Sequence, residues 1–203
     1  MEILCLDMEG VLTPEIWEAV AERTRIHELL KTTRDIPVYD DLMRLRLKVI
    51  AEHDLSMSVI EEVVAGMDPL PGAVDFLSWA RSRFQIAIIS DTYYQLAMPL
   101  VEKLGGPLLL CHNLEVENDR IVGYRIRQPD PKRRSVQSFK SLKYPVFSVG
   151  DSYNDVSMLE EADAGFFYRA PEHVRAEFPQ FEAAEDYPAL QDLLAAAAHQ
   201  HRA

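Results

Sequence analysis

The chain has 203 residues, 48% hydrophobic and 27% charged, which is the composition of an ordinary globular protein with one core and room for a smaller insert. A formal net charge of −12 at pH 7 repels phosphate backbones and anionic lipids, so we expect neither nucleic acid nor a membrane as a partner. The first residues do not resemble a signal peptide, no apolar run has membrane-spanning length, and Cys5 and Cys111 lie in apolar runs as buried free thiols, which favours a cytoplasmic protein.

Five apolar runs predict β-strands, and helical patterns lie between most of them. The strands are predicted at residues 2–6, 85–90, 107–111, 144–150 and 164–168. The helices are predicted at residues 71–83, 93–105, 131–142 and 153–163, with an alanine-rich helix near the carboxyl terminus. Pro99 lies inside the second of these helices and predicts either a kink or a later start. Strands that alternate with helices predict an α/β fold with a Rossmann-like, mainly parallel sheet.

Two segments interrupt this alternation. Residues 15–66 contain no convincing strand and predict two helices, at about 15–31 and 40–66, with DIPVYD between them. This segment is too long for a simple crossover, so we interpret it as a helical cap inserted after the first strand of a core formed by residues 1–14 and 67–203. Residues 114–127 alternate apolar and polar side chains on both sides of Asn118-Asp119, which predicts a β-hairpin.

Polar side chains follow three of the predicted strands. Asp7 and Glu9 come after the first strand, Ser90, Asp91 and Thr92 end the second, and the sequence GDSYND (150–155) ends the fourth. In parallel sheets, ligands bind beyond the carboxyl ends of the strands. We therefore expect these groups to converge, together with the basic segment PDPKRRS that begins a predicted helix.

Such a set of residues is suited to phosphoryl transfer. Clustered carboxylate oxygens favour Mg²⁺, and a carboxylate beside a metal and a lysine is deprotonated and can attack phosphorus. A hydroxyl, backbone N–H groups and a lysine can stabilise the transferring phosphoryl group. A second carboxylate two residues along the chain can act as a general acid and base.

Four motifs follow the order found in haloacid dehalogenase-like phosphatases: DMEG, IISDT, a lysine at a helix start and GDSYND. The chain resembles that superfamily over about residues 1–185, and its helical insert is similar to the superfamily's small cap. PLPGA (69–73) resembles the phosphoserine phosphatase branch, and the glutamate of DMEG with the SDT motif resembles the bifunctional phosphoserine phosphatase/homoserine phosphotransferase group. The resemblance implies a Mg²⁺-dependent phosphoserine phosphatase that forms an aspartyl phosphate and also transfers the phosphoryl group to homoserine.

The resemblance also implies roles for the acidic motifs. Asp7 is the expected nucleophile and a metal ligand, and Asp151 completes the metal site. Glu9 is the expected general acid and base, with its backbone carbonyl directed to the metal, at a position where the superfamily usually has aspartate. Asn154 is expected to bond the phosphate or a water on the metal. Asp155 is expected either to hold the metal ligands in place without binding the metal itself, or to be an ordinary acidic residue at a helix start.

The phosphate is expected to lie between the second motif and the lysine. By the same resemblance, Ser90 and the N–H of Asp91 hold the phosphate, and Lys132 neutralises its charge. The Asp91 side chain is expected to turn away from the anion or to cap the following helix. Arg133 and Arg134 are the alternatives to Lys132.

The amino acid end of the substrate is assigned to the cap. A zwitterion requires one anion and one cation from the protein, and the resemblance assigns Glu15 to the ammonium and Arg46 to the carboxylate through a two-pronged hydrogen bond. Arg44 is the weaker alternative to Arg46. Three neighbouring residues are interpreted as packing within the cap: Tyr39, Met43 and Leu47.

Other interpretations remain open from the sequence. One is a phosphatase of the same fold that acts on another small phosphomonoester, such as phosphoethanolamine or a sugar phosphate. Another is an inactive binding protein, which would be expected to have lost Asp7, Lys132 or Asp151. His53 and His112 are predicted to be surface or loop residues, and an oligomer is possible.

Overall fold

The structure, a computed structural model, describes residues 1–32, 35–36 and 38–202. Within these residues the strands are β1 (Glu2–Leu6), β2 (Phe84–Tyr93), β3 (Leu108–Glu117), β4 (Arg120–Arg125), β5 (Val146–Gly150), β6 (Ala164–Tyr168) and β7 (Glu182–Ala184). They form one sheet in the order β4-β3-β2-β1-β5-β6-β7. Neighbouring strands pair in parallel, except that β3 and β4 form an antiparallel hairpin. The predicted α/β fold with a mainly parallel sheet and a hairpin is confirmed.

Helices cover both faces of the sheet. They are α1 (Ile16–Thr24), α2 (Tyr39–Glu52), α3 (Met57–Ala65), α4 (Ala73–Arg81), α5 (Tyr94–Lys103), α6 (Pro131–Ser141), α7 (Val156–Glu161), α8 (Glu172–Glu177) and α9 (Tyr187–Arg202). Single 3₁₀ turns occur at His27–Leu30 and Tyr153–Asp155. No helix in the described part of the chain is both long enough and apolar enough to cross a membrane.

Strand β1 lies in the middle of the sheet, and its side chains pack into the hydrophobic core on both faces. All five of its residues are buried. Leu4 and Leu6 belong to a large cluster with residues of α4, α5 and α9, whereas Ile3 and Cys5 belong to a second cluster with residues of α6, α7 and α8. Successive strand residues point to opposite faces, so a strand buried on both sides is a continuous apolar run.

The insert after β1 is helical, but its helices are shorter than predicted. The helix expected at about 15–31 ends at Thr24, followed by Arg25 in the left-handed conformation (φ 59°). The helix expected at 40–66 is two helices, because Asp54 also adopts a positive φ and Ser56 caps α3. Pro37 of the DIPVYD segment lies outside the described residues. The division into core and cap stays a prediction.

Strand β2 is longer than predicted and is irregular where the polar residues lie. It continues through Tyr93, so Asp91 and Thr92 lie within the strand instead of after it, together with Ser90. Its pairing with β1 ends at Ile88, and its pairing with β3 shifts register between Ile89 and Tyr93. A bulge of this kind redirects side chains and frees backbone groups from the sheet.

Other predictions have mixed outcomes. Asn118 and Asp119, at the turn of the predicted hairpin, both have positive φ, as a two-residue hairpin turn requires.

Helix α5 begins at Tyr94 and contains Pro99, so the later start offered for this helix is wrong. Both cysteines are buried free thiols, as predicted. Helix α8 and strand β7 are short elements that were not predicted from the residue pattern.

Gly165 lets helix α7 pack directly on β6. An added Cβ at Gly165 would lie 2.7 Å from the carbonyl oxygen of Leu159 and 2.8 Å from its Cβ. We expect Gly165→Ala to lower the free energy of unfolding by about 1–3 kcal/mol, since the helix must shift to avoid overpacking. Gly66→Ala is the control, because its Cβ would lie 3.4 Å from the nearest atom and its φ is negative. Urea denaturation measures both variants, and equal stability of the two would contradict the prediction.

Candidate active site

A buried lysine lies at the carboxyl edge of the sheet. Pro131 begins α6, and the next residue, Lys132, is 2% exposed. The Lys132 Nζ lies 2.6 Å from Asp155 Oδ1, 3.0 Å from Asp7 Oδ2 and 3.9 Å from Asp91 Oδ2. Burial alone would lower the pKa of Lys132, but the carboxylates of Asp155, Asp7 and Asp91 outweigh it and raise that pKa well above its usual value. The ammonium is therefore charged, and each of its carboxylates comes from a different predicted motif.

Asp7 directly follows β1 and is almost completely buried. Its N–H donates to the carbonyl of Val149 in β5, and its Oδ1 accepts from the N–H of Met8 at 2.7 Å. These bonds leave Oδ2 directed at Lys132. Burial, followed by the Asp155 carboxylate, raises the pKa of Asp7 well above its usual value, although Lys132 opposes the shift.

Asp155 is the residue that connects the lysine to the last motif. It is fully buried, and its Oδ2 accepts the N–H groups of Asp151 at 2.9 Å and Ser152 at 3.1 Å, while its Oδ1 pairs with Lys132. Asp155 is thus an acidic residue at a helix start, where it completes a capping box with Ser152, and it also pairs with the buried lysine. A Cβ on Gly150 would lie 2.3 Å from the Asp155 Cβ, so glycine is required for this approach.

Three carboxylates could hold a metal ion. Oxygen atoms of Asp7, Asp151 and Asp155 lie within 4.8 Å of one another. Burial, together with the Asp155 charge, raises the pKa of Asp151 to about 7, although the charge of Lys132 opposes the shift. Gly10 has a φ of 78°, and a Cβ there would lie 2.2 Å from Asp151 Oδ2, so the backbone of the first motif passes directly over this carboxylate. An all-oxygen donor set of this kind fits Mg²⁺.

Asp91 points into the site, contrary to both expectations for its side chain. Its Oδ2 accepts from Asn154 Nδ2 at 3.0 Å, and its Oδ1 lies 3.6 Å from His112 Nε2. Helix α5 has Tyr93 at its amino-terminal cap and no side-chain cap bond. Burial would raise the pKa of Asp91, but Lys132, His112 and Asn154 outweigh it and hold that pKa at about 2.

Ser90 and His112 are both buried beside this edge. Ser90 Oγ accepts the N–H of Thr92 at 3.3 Å. His112 lies in β3 and is 2% exposed, so its prediction as a surface or loop residue is wrong. Its Nδ1 accepts the N–H of Arg127 at 3.2 Å, which directs the Nε2 proton to Asp91. The signal that could have identified His112 is its position at the end of the apolar run LLLC.

Glu9 connects the first motif to the helical insert. Its Oε1 accepts the N–H of Ile16, at the start of α1, at 2.8 Å. Burial raises the pKa of Glu9, whereas the Ile16 N–H and the positive charges of Arg46 and Lys132 oppose the shift. Glu15 is an exposed residue just before α1, and reduced hydration of its carboxylate together with the Glu9 charge raises its pKa to about 7.

Arg46 is the buried arginine of α2. It is 8% exposed, and its guanidinium carbon lies 4.8 Å from the centre of the Trp17 ring. Its Nη2 donates to the carbonyl of Lys31 at 3.1 Å, whereas its buried Nε has no hydrogen-bond partner among the described residues. Burial lowers the pKa of Arg46, and Tyr39 and Glu9 are the largest of the opposing influences.

The alternative cations are directed away from this site. Arg44 is exposed and pairs with Asp41 at 3.0 Å. Arg133 is exposed and pairs with Glu161 at 2.9 Å, and Arg134 is also exposed. Among the alternatives weighed from the sequence, Lys132 and Arg46 are therefore the two buried cations.

The comparisons with known proteins agree with this geometry. The sequence matches the haloacid dehalogenase-like hydrolase family over residues 6–160. It is 57% identical over 191 residues to "Phosphoserine phosphatase ThrH" of Pseudomonas aeruginosa, and the match covers 94% of this chain and 93% of that protein. It is 54% identical over 191 residues to a phosphoserine phosphatase of Pseudomonas syringae pv. tomato, covering 94% of this chain and 81% of that protein.

Solved structures give the same fold at low sequence identity. A substrate-bound phosphoserine phosphatase complex superimposes with a TM-score of 0.78 at 17% identity, covering 96% of this chain and 98% of that one. A phosphoserine phosphatase from T. onnurineus gives a TM-score of 0.72 at 21% identity, covering 95% and 93% of the two chains. The fold, the order of the four motifs and the sequence match together show that the chain belongs to the haloacid dehalogenase-like hydrolase family.

Proposed function

We propose that this protein is a Mg²⁺-dependent phosphoserine phosphatase that also transfers the phosphoryl group to homoserine. The observation that carries the proposal is the buried pair of Lys132 and Asp7, 3.0 Å apart, beside Asp151 and Asp155. The names of the relatives at 57% and 54% identity support phosphoserine as the substrate. In this proposal, residues 15–66 form the cap, and residues 1–14 and 67–203 form the catalytic core.

Asp7, Asp151 and the backbone carbonyl of Glu9 would hold the metal. Bound there, Mg²⁺ would supply positive charge that orients the phosphate and stabilises the negative charge of the transition state. Asp155 already accepts from Lys132 and from two backbone N–H groups, so its proposed role is to hold the lysine and the loop in place.

Asp7 is the proposed nucleophile. One of its carboxylate oxygens attacks phosphorus, the bond from phosphorus to the serine oxygen breaks, and an aspartyl phosphate forms. Lys132 balances the charge of Asp7 and of the phosphoryl oxygens, while Ser90 Oγ, the Asp91 N–H and Asn154 donate to those oxygens. Water then attacks the same phosphorus, and breakage of its bond to Asp7 releases inorganic phosphate and restores the carboxylate.

Glu9 is the proposed proton carrier. It gives a proton to the departing serine oxygen in the first step and takes one from the attacking water in the second. Its carboxylate is held at the start of α1 by the Ile16 N–H, two residues along the chain from the nucleophile.

Arg46 and Glu15 are proposed to recognise the amino acid part of the substrate. The buried Arg46 Nε has a free donor, and a substrate carboxylate would satisfy it. The Glu15 carboxylate lies near Arg46 and offers a negative charge to the ammonium group. Two charges of opposite sign at one end of the site and Lys132 at the other match a short phosphorylated zwitterion.

The test of the proposed function is a panel of phosphomonoesters that contains phosphoserine, phosphoethanolamine and a sugar phosphate, assayed with Mg²⁺ or with EDTA. We expect phosphoserine to have the highest kcat/KM and EDTA to abolish phosphate release. Asp7→Asn should retain less than about 1% of the activity, because an amide is a poor nucleophile. Asp75→Asn, on the exposed face of α4, is the control and should match the wild type. A higher kcat/KM for another phosphomonoester would identify that compound, and not phosphoserine, as the substrate.

Arg46→Ala tests recognition of the substrate carboxylate. Loss of a buried charge-assisted pair should lower kcat/KM for phosphoserine by a factor equivalent to about 2–5 kcal/mol. Phosphoethanolamine lacks the carboxylate, so its kcat/KM should fall much less. Arg44→Ala is the matched control, because Arg44 lies on the same helix with its charge exposed to solvent. Equal losses on both substrates would remove Arg46 from carboxylate recognition.

The transfer to homoserine is proposed from the glutamate at position 9. In this step the homoserine hydroxyl replaces water, attacks the aspartyl phosphate and gives its proton to Glu9, which forms phosphohomoserine and restores Asp7. A glutamate extends one methylene further than the aspartate usual in the superfamily, so it can serve acceptors of different size.

Phosphorus NMR of a mixture of phosphoserine, homoserine and Mg²⁺ measures this transfer. We expect a phosphohomoserine signal beside that of inorganic phosphate. Glu9→Asp should change the ratio of the two products, because the shorter side chain cannot reach both the Ile16 N–H and the acceptor. If inorganic phosphate is the only product at high homoserine concentration, the protein is a phosphatase without the transferase activity.

A further inference from the structure

The first residue of α2 reaches across to the strand that carries the phosphate-binding residues. The Tyr39 hydroxyl lies 3.0 Å from the backbone carbonyl oxygen of Asp91 and 2.8 Å from the Tyr93 hydroxyl. The Tyr39 ring also makes edge contacts with the rings of His112 and Tyr124, at centroid distances of 6.3 Å and 6.4 Å. Tyr39 is therefore more than packing within the cap, which was its predicted role.

The acceptor of this hydrogen bond is available because β2 is irregular there. Pairing of β2 with β1 ends at Ile88, and pairing with β3 shifts between Ile89 and Tyr93. The carbonyl of Asp91 lies between these points. The carboxylate of the same residue faces Lys132 and Asn154. Asp91 therefore contacts helix α2 through its backbone carbonyl, and it contacts Lys132 and Asn154 through its side chain.

Tyr39 and Arg46 belong to the same part of α2. They are seven residues apart, which is about two helical turns, so they lie on the same face of the helix. A second bond fixes the start of this helix, from the Tyr124 hydroxyl to Asp40 Oδ1 at 2.6 Å. The position of α2 relative to the sheet determines how far the Arg46 guanidinium lies from Lys132.

We propose that Tyr39 is a specificity-determining positioning residue for the substrate carboxylate. By donating its hydroxyl to the Asp91 carbonyl, it sets the distance between Arg46, which binds the carboxylate, and Lys132, which binds the phosphoryl group. A short substrate can be held at both ends only if this distance is fixed beforehand. The inference rests on the proposed function, and Tyr39 itself does not contact the reacting atoms.

Tyr39→Phe removes the hydroxyl and keeps the ring. We expect the KM for phosphoserine to rise about three- to tenfold, the effect of losing the hydrogen bond to the Asp91 carbonyl, with little change in kcat. The bond between the two tyrosine hydroxyls is lost as well, and a separate control measures that loss. The KM for phosphoethanolamine, which has no carboxylate, should change by less than about twofold. Tyr93→Phe is the matched control, since it removes the other hydroxyl of the pair and leaves Tyr39 free to donate to Asp91. It should match the wild type on both substrates.

The double variant Tyr39→Phe/Arg46→Ala shows whether Tyr39 acts through Arg46. If it does, Tyr39→Phe has no further effect on phosphoserine once Arg46 is absent. Additive losses, equal losses on the two substrates, or the same loss in Tyr93→Phe would each overturn the inference. A wild type that does not prefer phosphoserine to phosphoethanolamine overturns the proposed function and this inference with it. If the wild type prefers phosphoserine but Tyr39→Phe leaves its KM unchanged, this inference alone is overturned.

Discussion

The positive charge of Lys132, buried at the edge of the sheet, is the interaction on which the site depends. A charge that is 2% exposed would be strongly unfavourable without partners, and its partners here are Asp7, Asp91 and Asp155. Asp7 follows β1, Asp91 lies in β2, and Asp155 follows β5, so one ammonium group holds the ends of three strands together. Loss of any one carboxylate would change the position of the lysine and of the remaining partners.

The same cluster contains more negative than positive charge. Asp151 joins the three partners of Lys132, and the pKa values of Asp7 and Asp151 are raised because burial and neighbouring carboxylates disfavour further negative charge. A divalent cation would relieve this repulsion and would also attract an anionic substrate, which the net charge of −12 would otherwise repel.

The hairpin at the edge of the sheet fixes the insert. At its turn, Asp119 accepts from the N–H and the hydroxyl of Ser58, both at 2.7 Å, next to the start of α3. On β4, Tyr124 bonds to Asp40 at the start of α2. Because β3 continues directly into this hairpin and carries His112 beside Asp91, the same strand contacts both the insert and the Asp91 side of the candidate site.

Residue patterns alone predict the α/β fold and the convergence of Asp7, Lys132 and Asp151, because apolar periodicity marks the strands and parallel strands bring their carboxyl ends to one edge. The same patterns do not predict the break between α2 and α3, where Asp54 takes a positive φ, or the short elements α8 and β7, whose patterns are too brief. The pairing of Asp155 with Lys132, the approach of Asp91 to that lysine and the bond from Tyr39 to the Asp91 carbonyl are visible only in the folded chain. These contacts join residues 23 to 52 positions apart, and such contacts are set by the packing of whole helices and strands and not by local sequence pattern.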